Sequence, residues 1–242
     1  RTDMQFGKLK LQLVASQKKS ASKSVGSKGG VQLTPFDIGA ADYEENTHFF
    51  LSHHFRERYD EGMKRLPHVM TGVTINRIEV WVTNKTGSTS DTRNIVALAD
   101  LGENRLVKSP LWTTLGLPVP SNQANTEYAT LNANAAVRDI DQVSTQLDGM
   151  GLVGGQDYEK VANAVRLSPE SYTVNTALGY ISLRTALQPD QILAVAYEYT
   201  YGGKTYQVGE FATDKTDVGQ SLLVKALKNT SNNPTQGNWR LM

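Results

Sequence analysis

Residues 192–211 read Ile-Leu-Ala-Val-Ala-Tyr-Glu-Tyr-Thr-Tyr-Gly-Gly-Lys-Thr-Tyr-Gln-Val-Gly-Glu-Phe, two alternating runs either side of a glycine pair. Gly202 and Gly203 accept the positive φ angles that a two-residue turn demands, so a β-hairpin is expected here. Folding at that turn sets Tyr201 opposite Lys204, Tyr199 opposite Tyr206 and Tyr197 opposite Val208. One face then collects aromatics and belongs to a core, while Glu198 and Gln207 share a face that is at least partly wet.

The rest of the 242 residues is long enough for one large domain with appendages. A formal net charge of +1 argues against a dedicated nucleic-acid binder, which needs a basic surplus to neutralise phosphates. With no cysteine, a disulfide framework, thiolate metal sites and cysteine nucleophiles are excluded. No apolar run reaches the roughly 18 residues of a transmembrane helix. The chain opens at Arg1 and ends on Trp239-Arg240-Leu241-Met242, and the expectation is a piece of a longer polypeptide.

Residues 4–17 alternate, with Leu9, Leu11 and Leu13 opposite Lys8, Lys10 and Gln12, and are expected to form a strand. Its length suits an ordinary half-buried strand and a membrane-barrel strand alike. Residues 18–30 turn to Lys, Ser and Gly, a flexible linker. Residues 41–66 carry Tyr43, Phe49, Phe50, Phe55 and Tyr59 among charges, with Asp42 as a cap, and point to an amphipathic helix closed by Gly62 and Pro67. Residues 73–82 read as a strand whose apolar positions change phase, which a bulge near Asn76-Arg77 repairs. Residues 93–101 read as a second, central strand paired with the first.

Residues 102–123, with Pro110, Pro118 and Pro120, form a long loop under Trp112. A helix is expected over residues 124–150, a shorter one over 158–167, short strands at 172–174 and 180–183, and a helical turn or two over 221–228. The fold class is therefore α+β: a mostly antiparallel sheet with a C-terminal hairpin, packed by two or three amphipathic helices, with long loops. The expected organisation is a strand and linker over 1–30, one α+β domain over 31–230 and a tail over 231–242.

Few patterns carry chemistry. Gly149-Met-Gly151-Leu-Val-Gly154 is a literal GxGxxG, yet no strand precedes it and no βαβ alternation follows, so it reads as a glycine C-cap with a connection. His48, His53 and His54 lack the i, i+4 spacing that places two imidazoles on one helix face, and read as surface or partly buried helix residues. Asp139, Asp141 and Asp148 read as solvated helix charge. No serine has a His and acid partner in recognisable order.

Several phrases occur in order: Pro35-Phe36-Asp37-Ile38-Gly39, Asp42-Tyr43-Glu44-Glu45-Asn46-Thr47-His48-Phe49-Phe50-Leu51 and Arg77-Ile78-Glu79-Val80-Trp81-Val82-Thr83-Asn84-Lys85. Thr92-Arg93-Asn94-Ile95-Val96-Ala97, Gly151-Leu152-Val153-Gly154-Gly155-Gln156-Asp157-Tyr158-Glu159, Leu178-Gly179-Tyr180-Ile181-Ser182-Leu183 and the hairpin through Phe211 follow. Together they resemble the SprA/Sov family of gliding-motility and secretion proteins, the outer-membrane translocons of the type 9 secretion system of Bacteroidetes. The resemblance implies a non-catalytic segment inserted between strands of a large export barrel that passes folded cargo with C-terminal signals. It implies no cofactor, no metal and no catalytic residue. Implied partners are a smaller outer-membrane barrel, a plug protein and secreted cargo, with the parent chain in the outer membrane and this domain in the periplasm or at the cell surface. Candidate partner-contact or structural residues are Phe36, Trp81, Arg93, Trp112, Tyr158, Tyr199 and Tyr206. A rival expectation is a stand-alone periplasmic or surface module that binds a peptide or glycan through the hairpin face and the Trp112 loop.

Overall fold

A computed structural model divides the chain into two compact units, residues 1–42 and 43–242, and describes residues 2–6, 9–13, 39, 42, 44–215, 217–231 and 241. In the first unit, β1 (Thr2–Phe6) pairs antiparallel with β2 (Leu9–Leu13), Phe6 opposite Leu9 and Thr2 opposite Leu13. The single strand expected over residues 4–17 is thus corrected to a hairpin. The leucine alternation runs across both strands and hides the break between them. The linker expected over 18–30 and Phe36 lie outside the described residues.

The second unit is built on a closed barrel of five strands. These are β4 (Val73–Val82), β5 (Thr92–Leu98), β6 (Tyr158–Arg166), β9 (Leu193–Tyr201) and β11 (Leu222–Lys228), in ring order β4-β9-β11-β5-β6 and back to β4. Only β11 and β5 run parallel; every other pair is antiparallel. The hairpin forms as expected: β10 (Lys204–Val208) pairs with β9 in the anticipated register. Gly202 and Gly203 have φ of 58° and 74°. Strand outweighs helix, 32% against 17%, so the sheet is antiparallel-rich but closes on itself rather than lying open under helices. Among the described residues no helix is long and apolar enough to cross a membrane.

Strand alternation sorts the barrel residues onto two faces. The inner face is small: Ala97, Ala164, Ala194, Ala196 and Ala226 surround Trp81, with Ile95, Val161, Leu222 and Val224 completing the cluster. Phe211 joins that cluster, and Arg77 lies over its ring at 3.8 Å. The outer face carries Val80, Val96, Leu98, Val195, Tyr197, Tyr199, Leu223 and Leu227, covered by loops and short helices that contribute Phe55, Leu101, Trp112, Leu131, Val137 and Leu147. Burying each such aliphatic side chain contributes roughly 1.5–3 kcal/mol.

Of three register shifts in the barrel, one lies between Ala226 and Lys228 of β11, and the other two bear on the expected elements. The expected one at Asn76 lets Ile75 face Tyr199 and Arg77 face Glu198. The other corrects an expectation, because residues 158–167 form β6 and not a helix. There Arg93 faces Ala164 while Ile95 faces Val161, and the extra residue is taken up where Asn163 adopts φ 52° with its N–H bound to Asn94 Oδ1. Inward residues Val161 and Ala164 are therefore three apart, a spacing that reads as a helical turn. Residues 221–228 likewise form a strand, β11, and no helical turn, since it is buried on both faces between β5 and β9. β4 and β5 do not pair directly; β6 stands between them.

The long helix expected over 124–150 is broken into α3 (Glu127–Asn132), a 3-10 turn (Ala135–Arg138) and α4 (Val143–Gly149). Asn134 and Asp139 accept bonds from the N–H groups of Ala136 and Asp141 and leave the helical path. Gly149-Met-Gly151 caps α4 as expected, Gly151 having φ 92° and Leu152 donating to Leu147 O.

The helix expected over 41–66 is instead β3 (His48–Phe50), α1 (His53–Glu57) and α2 (Tyr59–Met63), and Ser52 rather than Asp42 caps α1. β3 pairs with β8 (Tyr180–Leu183), which pairs with β7 (Tyr172–Asn175) in a separate three-stranded sheet. Gly179 fixes this sheet against α1: its φ is 69°, and a Cβ there would meet Phe55 Cγ at 2.5 Å. Gly179→Ala is expected to cost about 1–3 kcal/mol. Urea unfolding checks this, and an unchanged midpoint would show that Phe55 is free to move.

Candidate functional site

Six of the sequence candidates sit inside the frame. Trp81 fills the barrel and Trp112 is buried beneath its loop. Arg93 is buried and donates to the carbonyls of Lys215, Asp217 and Gln220, tying down the segment after Phe211. The Tyr158 hydroxyl donates to Asp148 Oδ1 at 2.7 Å, and that of Tyr199 to Pro120 O at 2.7 Å. Tyr206 stacks on Tyr199 at 5.5 Å. Tyr197, Tyr199 and Trp112 turn into the core; the hairpin face and the Trp112 loop leave accessible the half-buried Tyr201 and Tyr206 and the exposed Leu106, Leu111 and Leu115.

The densest titratable group is sealed under the outer face. Lys225 projects from β11 with no exposed side chain, binds Glu103 Oε1 at 2.9 Å and donates to Ala99 O. Glu103 also accepts from His53 N, while Asn125 holds the carbonyls of Asp100 and Glu103 and accepts from Glu127 N. Burial, reinforced by Asp100, Asp157 and Glu103 against the opposing pull of Lys225, pushes the Glu127 carboxyl well above its usual range. Burial likewise raises Asp100, although it accepts from Ser109 N and Lys108 N. His54 is pushed down to about 4 by burial and by Arg58 and Arg105. A second buried pair joins Arg138 to Glu210, which also accepts from Tyr128 and Leu223 N. Burial alone would raise Glu210; these donors outweigh it and hold the carboxyl below its ordinary value. Both groups satisfy polar atoms that the fold encloses.

One open concavity lies against the small sheet. A cleft of about 610 Å³ is lined by His48, Phe50, Arg56, Tyr59, Asp60 and Tyr180, with Phe49 and Glu57. Phe50, Tyr59 and Tyr180 meet edge to face, centroids 5.6, 5.9 and 6.4 Å apart. His48 stands here on a strand, not on the helix expected for it, whereas His53 and His54 are buried in α1. Its Nε2 is 2.6 Å from Glu44 Oε2 and its Nδ1 2.8 Å from Ser182 Oγ. Sequence reading missed this Ser–His–Glu chain because Ser182 arrives from 134 residues away.

Its surroundings do not suit a nucleophile. Glu44 is 69% exposed and orients the imidazole weakly. Ser182 sits on a central strand, β8, bonded on both sides, so its N–H is committed to the ladder and cannot face an oxyanion. Among the described residues no group of His, Asp and Glu is arranged to hold a metal. The cleft offers three aromatic rings and side chains of both charges to a ligand. No known protein-family model matches the chain, and no curated protein matches it.

Two outcomes test the buried chemistry. Glu127 and Asp100 have raised pKa values in the folded state. Their stabilisation is full below the unfolded carboxyl range and is lost as pH rises through the folded values. His54 acts oppositely, losing its contribution as pH falls from 6.5 through about 4. Glu127→Gln is expected to flatten the decline with rising pH by up to about 1.4 kcal/mol per pH unit; urea unfolding at stepped pH measures it, and parallel wild-type and variant profiles would contradict a raised Glu127 pKa. Lys225→Met is expected to cost about 3–5 kcal/mol by stranding Glu103, and Lys225→Met with Glu103→Leu to regain most of it, measured as a double-mutant cycle.

Proposed function

We infer that this chain is a non-catalytic domain of a type 9 secretion outer-membrane translocon of the SprA/Sov kind, serving export of folded cargo by shaping the channel assembly and contacting its partners. The observation that carries this reading is the ordered series of motifs from Pro35 to Phe211. Its support is strengthened by where those motifs fall. Arg77 to Val82 lies in β4, Thr92 to Ala97 in β5, Tyr158 and Glu159 open β6, Tyr180 to Leu183 is β8, and the hairpin supplies β9 and β10. A resemblance carried by frame residues from most strands of one unit is more specific than one carried by a single loop. The non-catalytic part of the reading is favoured by the sealed carboxylates and by the unsupported Ser182–His48–Glu44 chain.

An antibody to this domain, used on fractionated cells, tests the reading. The expected band is in the outer membrane and far larger than the 26.6 kDa of these residues. A soluble band near that mass would overturn it.

A further inference from the structure

The cleft beside β3 has a property that its aromatic lining alone does not give it. Leu51 N donates to Gly179 O, and Leu183 N donates to Thr47 O. In an antiparallel ladder those bonds fix the alternation. Thr47, Phe49 and Leu51 face β8, and the backbone N–H and C=O groups of His48 and Phe50 point the other way. β3 is the outer strand of its sheet, and among the described residues no strand pairs with that outer edge. β3 forms part of the cleft wall through His48, Phe49 and Phe50, joined by Tyr180 of β8, and Arg56, Glu57, Tyr59 and Asp60 of the α1–α2 segment form another wall. Within this wall Arg56 and Asp60 carry opposite charges, and neither side chain has a hydrogen-bond or ion-pair partner among the described residues, whereas Glu57 faces Arg105 at 3.5 Å.

The geometry points to a peptide-binding cleft: an extended segment of another polypeptide adds to β3 as a fourth strand, bonded to the backbone of His48 and Phe50. It places one large apolar side chain on Phe50, Tyr59 and Tyr180, with an acidic residue toward Arg56 and a basic one toward Asp60. Strand addition draws affinity from main-chain bonds and specificity from alternate side chains, and this cleft supplies both in one place. A short free edge between charged residues is also guarded against indiscriminate pairing, so selectivity rests on the aromatic pocket. A volume of about 610 Å³ accommodates a few residues and little more. A sugar would use the rings but leave the strand edge idle, which is why a peptide is the better fit. The cleft belongs to the described domain whatever its parent chain.

The test selects random linear peptides on phage against the 242-residue chain and measures the enriched sequences, made synthetically, by fluorescence anisotropy. Enriched peptides are expected to share a large apolar residue. Tyr59→Ala and Asp60→Lys, both at half-buried or exposed positions, are each expected to weaken binding about tenfold. N-methylation of the peptide amides that face β3 is expected to do the same, by about tenfold. Val153→Ala, remote from the cleft in sequence and exposed, leaves binding unchanged. Amide exchange on each variant establishes that it is folded, and the His48 and Phe50 amide resonances shift on binding. The proposal is overturned if no peptide is enriched, or if folded cleft variants and N-methylated peptides bind as well as their parents. It is equally overturned if malto-oligosaccharides bind in a Tyr59-dependent way and peptides do not.

Discussion

A five-stranded barrel is narrow, and that limit governs the rest of this domain. Barrel diameter grows with strand number, and eight strands already leave only enough interior for side chains to fill. Five strands admit less, which is why alanines line β5, β6, β9 and β11 around a single Trp81. The interior cannot bury enough apolar area for a unit of this size, so most of the core lies outside the strands. The long loop around Trp112, the broken helices over residues 127–149 and the small sheet with α1 are the covering that this requires.

Covering a barrel with irregular chain brings backbone polar groups into the core, where each needs a partner. The buried charges answer that need. Asn125 holds two carbonyls of the 100–103 turn, and Lys225 reaches from the barrel wall to Ala99 O and Glu103. Arg93 and Arg138 do the same at the other crossing, binding carbonyls of residues 215–221. Charge that looks like chemistry in isolation is the means by which loops are fastened to strands. Burial, together with the imbalance of three enclosed carboxyls around one lysine, raises the Glu127 carboxyl well above its usual range.

What sequence reading recovered follows from the same physics. The hairpin, the Asn76 bulge, β7, β8 and the Trp112 loop were legible because each rests on local signals: a glycine pair, a phase change, short alternating runs, prolines. β6 and β11 were misread as helical because their determinants are not local. The β6 bulge depends on Asn94 of β5 capturing Asn163, and β11 is a strand only because β5 and β9 lie on either side of it. Residues 41–66 alternate charge and aromatic residues as a helix does, yet β8, more than 130 residues later, draws His48–Phe50 into a sheet. The cleft was invisible for that reason: Tyr180 reaches it only through that pairing.

The cleft and the barrel are not independent. Phe55 of α1 packs edge to face on Tyr199 at 5.4 Å and lies 6.1 Å from Tyr197, both on β9, while Gly179 presses on the same ring. The strand that closes the barrel therefore also holds the helix that forms one wall of the cleft, and Ile75 N, bonded to Thr176 O, fastens the small sheet to β4. A binding edge held in place before its partner arrives loses less freedom on association than a mobile one. Held through β8 and α1 to the barrel, β3 is short enough to avoid indiscriminate pairing and fixed enough to favour one kind of extended guest.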